Sequence, residues 1–288
     1  MEQINHRVVV GVDGSTGSHA AVEFAAAEAA ARGVPLHLVC AFSPPVALPP
    51  PIIAPYPPEA PELTAPDPHV PDMLARLAED TRRADPRLRV VDHVIHGSPA
   101  AVLLEESRHA DLVVVGARGH GGFAELLAGS TATQVATHAA CPVIVVRGTT
   151  TATGPVVVGV DATEQAHVAC GFAFEEAVWR GVPVHAVHTF TPQVNEPSDG
   201  PAAYERAARL LTEALEGWRA KYPQVTVRES LMGDGEIVDA LVDASDGACL
   251  VVAGSRGRGR FASLLLGSTS YALTHAAQCP VAITHRTT

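Results

Sequence analysis

Two stretches of the chain place glycine at a spacing suited to holding an anion. Residues 116–131, GARGHGGFAELLAGST, and 254–269, GSRGRGRFASLLLGST, each follow an aliphatic run, and each returns to Gly-Ser-Thr at the head of a further apolar segment. Glycines at 116, 119, 121 and 122 let backbone approach a ligand closely and take positive φ. Gly129, Ser130 and Thr131 then open a helix whose first N–H groups have no intrahelical acceptor, a ready phosphate site. Ser130 or Thr131 can add a hydroxyl, and Arg118 a fixed positive charge. The second copy offers Gly254, Arg256, Gly257, Gly267, Ser268 and Thr269 for the same chemistry. The familiar phosphate loops are absent: no glycine precedes a lysine, and no G-x-G-x-x-G follows the first strand of either half. An acidic side chain closes each of those strands, Asp13 in GVDGS and Asp161 in GVDATE, placed to hold a ribose hydroxyl or a bridging Mg²⁺.

These residues need a scaffold that brings strand ends and helix starts together. Short β-branched runs alternate with alanine-rich helical stretches: strands are expected at 8–13, 36–42, 88–96, 112–116 and 143–147, and helices at 18–32, 72–84, 99–109 and 130–139. The second half repeats the order, with strands at 156–161, 184–190, 225–232, 250–254 and 281–284. Runs such as VVVGV and LVVVG are apolar on both faces, as parallel strands covered by helices on each side require. The expected fold is α/β, two tandem doubly wound domains, 1–148 and 149–288, each a five-stranded parallel sheet with helices on both faces. Residues 148–155, GTTTATGP, have the small polar character of a joint. Twelve of the 23 prolines fall between 44 and 71, where regular structure is not expected. That segment leaves the ligand-side end of the second strand and is placed to cover the first site or dock a partner.

Composition narrows the function classes. The chain has 288 residues, 47% hydrophobic and 18% charged, so two domains of ordinary size can each bury a core. Twenty basic residues against 31 acidic give a net charge of -11, which argues against nucleic acid or an anionic membrane as partner. Lys221 is the sole lysine. No signal-like segment opens the chain, so a cytoplasmic location is expected. The five cysteines form no CxxC pair and read as reduced, buried residues. His93 with His96, and His185 with His188, sit three apart in expected strands, where they face opposite sides and cannot converge on one metal ion. Ser15 lacks the G-x-S-x-G elbow, so no catalytic residue is assigned.

Gly116, Gly119, Gly129 and Ser130, repeated as Gly254, Gly257, Gly267 and Ser268, carry the spacing G-x2-G-x9-G-[ST]. With GVDGS near the start and CPVIVVR at the close of the first half, the pattern resembles the universal stress protein family, in tandem. The resemblance implies a Rossmann-like, adenine nucleotide alpha hydrolase-like domain that binds ATP with Mg²⁺ and regulates rather than catalyses. It also implies a last strand that pairs across a homodimer, or here within the chain as an internal pseudo-dimer. By that resemblance Asp13 meets ribose or metal, Gly11 and Ala41 border the adenine, and Val115 and Gly116 flank the nucleotide. Arg118, Gly119, Gly129, Ser130 and Thr131 surround the phosphates. The second-half matches are Gly159, Asp161, Thr189, Ala253, Gly254, Arg256, Gly257, Gly267, Ser268 and Thr269. One departure bears on occupancy: Gly14-Ser15 becomes Ala162-Thr163, a change expected to tighten the second pocket. The alternatives are a slow ATP hydrolase and a nucleotide-free interaction scaffold.

Overall fold

A computed structural model describes residues 6–43, 69–119, 129–161, 163–190, 199–233, 236–255 and 266–285. Most of the proline-rich segment, Ala162, Arg256, Gly257 and the middle of each glycine loop lie outside the described residues. The first half runs β1 (Val8–Gly11), α1 (Thr16–Arg32), β2 (Leu36–Phe42), α2 (His69–Ala84), β3 (Val90–His96), α3 (Pro99–Glu106), β4 (Leu112–Gly116), α4 (Ser130–His138) and β5 (Val143–Val146). The second repeats it as β6 (Val156–Gly159), α5 (Glu164–Arg180), β7 (Val184–Phe190), α6 (Asp199–Lys221), β8 (Val227–Gly233), α7 (Ile237–Ala244), β9 (Leu250–Gly254), α8 (Ser268–Ala276) and β10 (Val281–Thr284).

All ten strands join one sheet in the order β3-β2-β1-β4-β5-β10-β9-β6-β7-β8. Pairing is parallel within each half, and the halves meet where β5 and β10 run antiparallel, with Val281 opposite Val145 and Ile283 opposite Val143. The last strands therefore satisfy each other inside one chain. The sheet is covered on both faces, which is why its strands are aliphatic throughout. One core joins Val8, Val10, Leu36 and Leu38 to α1 and α2 and continues through Ile144 and Ala282 to Phe174, Leu211 and Leu215. The other joins Val9, Val113, Val143 and Val145 to α3 and α4 and continues through Val281 and Ile283 to Leu241 and Leu273.

Boundaries shift from the sequence reading for local reasons. The first strand ends at Gly11 rather than residue 13: Val12 N–H still reaches Val39 O at 2.8 Å, but Asp13 to Ser15 already turn away to build the cap of α1. The second helix starts at His69 rather than residue 72. Pro71 is tolerated there because first-turn N–H groups have no helical acceptor to lose. The helix after β3 stops at Glu106 and tightens to a 3₁₀ turn over Ser107–His109.

Candidate functional site

The site forms where strand order reverses, between the carboxyl ends of β1 and β4. Asp13 Oδ1 accepts from the Ser15 N–H at 3.0 Å and the Ser15 hydroxyl at 2.6 Å. Ser15 is the N-cap of α1, its Oγ accepting from Ser18 N–H at 3.1 Å. Gly14 between them has φ +81°, a conformation that favours glycine. Two further glycines permit close approach: a Cβ on Gly119 would lie 2.2 Å from Asp13 Oδ2, and one on Gly17 would lie 2.4 Å from the Arg118 carbonyl oxygen.

Helix α4 supplies the other wall. Its N-cap, Gly129, has φ -74° and ψ 151° and offers no side chain to the helix's first amides. Its own N–H is used, donating to Ala117 O at 2.8 Å. Any residue can adopt that backbone, and among the described residues a Cβ there would meet nothing closer than 3.5 Å, so their packing does not demand glycine. A cavity of about 350 Å³ opens against this helix start. Gly11, Asp13, Ala41, Val115, Gly116, Arg118, Gly119, Gly129, Ser130 and Thr131 all line it. So do Val12, Ser18, Val39, Pro99, Leu103 and Ala132, which the motif did not single out. Ser18 has a signal in retrospect, three residues after an N-cap serine, and Pro99 opens the helix that follows β3. The cavity is polar where Asp13, Arg118 and α4 converge, and apolar where Val39, Ala41, Pro99 and Leu103 meet.

In the second half, the described candidates occupy matching places. Gly159, Asp161 and Thr189 lie at or just beyond the ends of β6 and β7, Ala253 and Gly254 at the end of β9, and Gly267, Ser268 and Thr269 at the start of α8. Asp161 Oδ1 accepts from the Thr163 N–H at 2.8 Å and from its hydroxyl, and Thr163 caps α5. Gly267 N–H donates to Ser255 O at 2.8 Å, repeating the bond at Gly129. Position 165, which matches Gly17, is glutamine, and position 166, which matches Ser18, is alanine.

Burial governs the titrating side chains. It pushes the Cys40 thiol up, with the Asp13 carboxylate adding to it, and drives Cys141, Cys170 and Cys279 to about 12 and Cys249 to about 11. All five are buried and free, so none supplies a thiolate at neutral pH. The histidine pairs are engaged separately: His93 lies 5.2 Å from the His37 ring and His96 5.3 Å from Phe42, while His185 meets Ser230 Oγ at 2.9 Å and His188 meets Val160 O at 2.7 Å. No group of three or more metal-ligating side chains gathers among the described residues. No helix among them is long and apolar enough to cross a membrane.

A doubly wound sheet with a cleft at its switch point, a glycine-lined strand end and an uncapped helix start define a Rossmann-like α/β protein built twice. The chain belongs to the universal stress protein family, whose model matches residues 5–147 and 153–285. It is 36% identical over 294 aligned residues to the universal stress protein Rv2005c of Mycobacterium tuberculosis, covering 96% of both chains. A universal stress protein structure from Archaeoglobus fulgidus superposes with a TM-score of 0.67 at 18% identity, covering 97% of this chain and 96% of that one. A second Archaeoglobus fulgidus universal stress protein, solved in complex with dAMP, matches 46% of this chain and 97% of its own at 26% identity and a TM-score of 0.34.

Proposed function

We propose that the first half binds an adenine nucleotide, ATP with Mg²⁺, and that the chain is a regulatory nucleotide-binding module of two domains, 1–148 and 149–288. The observation that carries this reading is a contrast between two helices of the same half. Helix α1 is capped by its own Ser15, whereas α4 has a glycine at its N-cap, receives no side-chain cap bond among the described residues, and starts at a 350 Å³ cavity. That volume lies at the low end of the roughly 300–1,000 Å³ of small-molecule sites and suits one nucleotide. The phosphates lie against Gly129, Ser130 and Thr131, with Arg118 and Gly119 closing on them, so charge meets the positive end of the α4 dipole. The base fills the apolar end beside Gly11, Ala41, Val115 and Gly116. Were Mg²⁺ bound with the nucleotide, Asp13, the one carboxylate among the described lining residues, would be the group to hold it, and the ion would supply charge neutralisation for the phosphates.

Binding rather than hydrolysis is the reading. Asp13 is the one carboxylate among the lining residues, its Oδ1 is tied to Ser15, and no lysine lines the cavity to neutralise a transferred phosphate. In the second half, Gly159, Asp161, Thr189, Ala253, Gly254, Arg256, Gly257, Gly267, Ser268 and Thr269 form the corresponding, weaker site. Denaturing freshly purified protein and identifying the released small molecules by mass spectrometry tests the function. One adenine nucleotide per chain is expected. Release of none, together with no calorimetric binding of ATP, ADP or AMP, would leave an interaction scaffold as the answer.

A further inference from the structure

The β5–β10 seam does more than join two sheets. Because the strands run antiparallel, the residue that follows each one arrives beside the end of the other half's last helix. Arg147, directly after β5, donates to Leu273 O at 3.1 Å and His275 O at 2.7 Å in the last turn of α8. His285, directly after β10, sets Nε2 3.0 Å from Ala136 O in the last turn of α4 and Nδ1 3.1 Å from Cys141 O just beyond it. Carbonyls only accept, so the imidazole donates from whichever nitrogen carries hydrogen. The contacts are reciprocal: each side chain reaches carbonyls at or just past the end of the other half's last helix, where intrahelical donors run out, although Leu273 O also accepts from Ala277 N–H at 3.1 Å.

Helix α4 is nine residues long, too short to hold its place by its own hydrogen bonds. One end faces the cavity and the other is held from across the seam. The first-half wall is also bonded to the seam directly, since Ala117 accepts from Gly129 N–H and donates its own N–H to Val146 O at 2.9 Å, next to Arg147. Burial and then Arg118 lower the Arg147 pKa, which marks the two guanidinium groups as electrostatic neighbours.

We propose that His285 is a positioning residue for the first-half nucleotide site, acting in trans through α4, with Arg147 its counterpart for α8. Each half's phosphate-facing helix is thereby set by the other half. The proposal rests on the nucleotide reading above.

The test is calorimetric titration of full-length wild type, His285→Ala and His285→Arg with MgATP, alongside Tm measurement. The arginine variant copies what position 147 already carries. His285→Ala is expected to weaken ATP binding about fivefold, the factor matching the loss of one net hydrogen bond, and His285→Arg to stay within about twofold of wild type. A purely structural His285 would lower Tm and leave affinity unchanged, which overturns the proposal, as does an equal affinity loss in both variants. If His285→Ala does not fold, amide exchange on wild type decides. ATP should slow exchange in α4 and also in β10, and slowing confined to the first half overturns the proposal. Wild type that binds no ATP removes the nucleotide reading itself, whereas ATP binding indifferent to His285 removes only this inference.

Discussion

Where its first strand ends, the first half reads Asp13-Gly14-Ser15 and the second reads Asp161-Ala162-Thr163. Both turns keep the carboxylate locked to the N-cap hydroxyl, so capping alone does not distinguish them. What differs is backbone freedom. Gly14 sits at φ +81°, and Gly17 lets the Arg118 carbonyl rest against its α-carbon, a contact any Cβ would block at 2.4 Å. The second half carries alanine and glutamine at those positions. A duplicated fold can thus retain the scaffold of a site while dropping the glycines that give the loop its course.

At one place the two halves are equal partners. Glu28 and Arg32 on α1, and Glu176 and Arg180 on α5, form a closed ring of four ion pairs across the seam: Arg32 to Glu28 and Glu176, Arg180 to Glu176 and Glu28. Both carboxylates are buried, the Arg32 guanidinium lies 4.1 Å over the Trp179 ring, and Arg180 lies 5.1 Å over Phe24. Burial, then the neighbouring Glu28 carboxylate, push Glu176 up to about 7 against the pull of the two arginines.

The largest expected effect comes from opening that ring. Arg180→Ala and Arg32→Ala should each cost about 3–5 kcal/mol by chemical denaturation, since each strands buried carboxylates. Equal losses confirm that the halves are equivalent here, and a difference above about 2 kcal/mol breaks the symmetry. Next comes pH. A carboxyl whose folded pKa stands above its ordinary 4.5 contributes stability that is complete below 4.5 and fades as pH climbs to about 7. Wild-type Tm relative to Glu176→Gln should therefore fall across that window and level off above it. A difference that is constant from pH 4 to 8 would show that folding leaves the Glu176 carboxyl at its ordinary 4.5.

Smaller effects sharpen the contrast at the turn. Gly17→Gln, which installs the second-half residue in the first, should cost about 1–3 kcal/mol through overpacking against the Arg118 carbonyl and weaken ATP binding at least about tenfold. Unchanged affinity would mean the glycine does not shape the site. Smallest in stability is Gly129→Ser. A hydroxyl at the N-cap of α4 should raise stability by a few tenths of a kcal/mol while competing with phosphate for the same amides, weakening ATP binding about tenfold. A variant that is stabilised yet binds ATP as tightly as wild type would show those amides are not the contact.

Much of this architecture was readable from residues. Aliphatic runs announced strands buried on both faces, and the duplicated glycine spacing announced the strand ends and helix starts that line the cavity. Leu103, Pro99 and Val39 escaped notice because an apolar wall has no motif: the same side chains would serve any core. The ion-pair ring was equally hidden. Glu28 with Arg32 looks like an ordinary exposed helix pair at i, i+4 spacing, and only the antiparallel meeting of β5 and β10 brings it against its copy 148 residues on. Arg147 closes the CPVIVVR motif and His285 follows β10 without a motif, but the role of neither was legible, since their partners are main-chain carbonyls that every residue possesses.

The central claim is that backbone amides at the start of α4 receive a nucleotide's phosphates, and the direct measurement is isothermal titration of MgATP into nucleotide-stripped full-length protein beside its Gly129→Val variant. The account predicts saturable binding to wild type that the variant loses while remaining folded, because a Cβ at 129 has room among the described residues but none beside a phosphate. Equal binding by both proteins would contradict it.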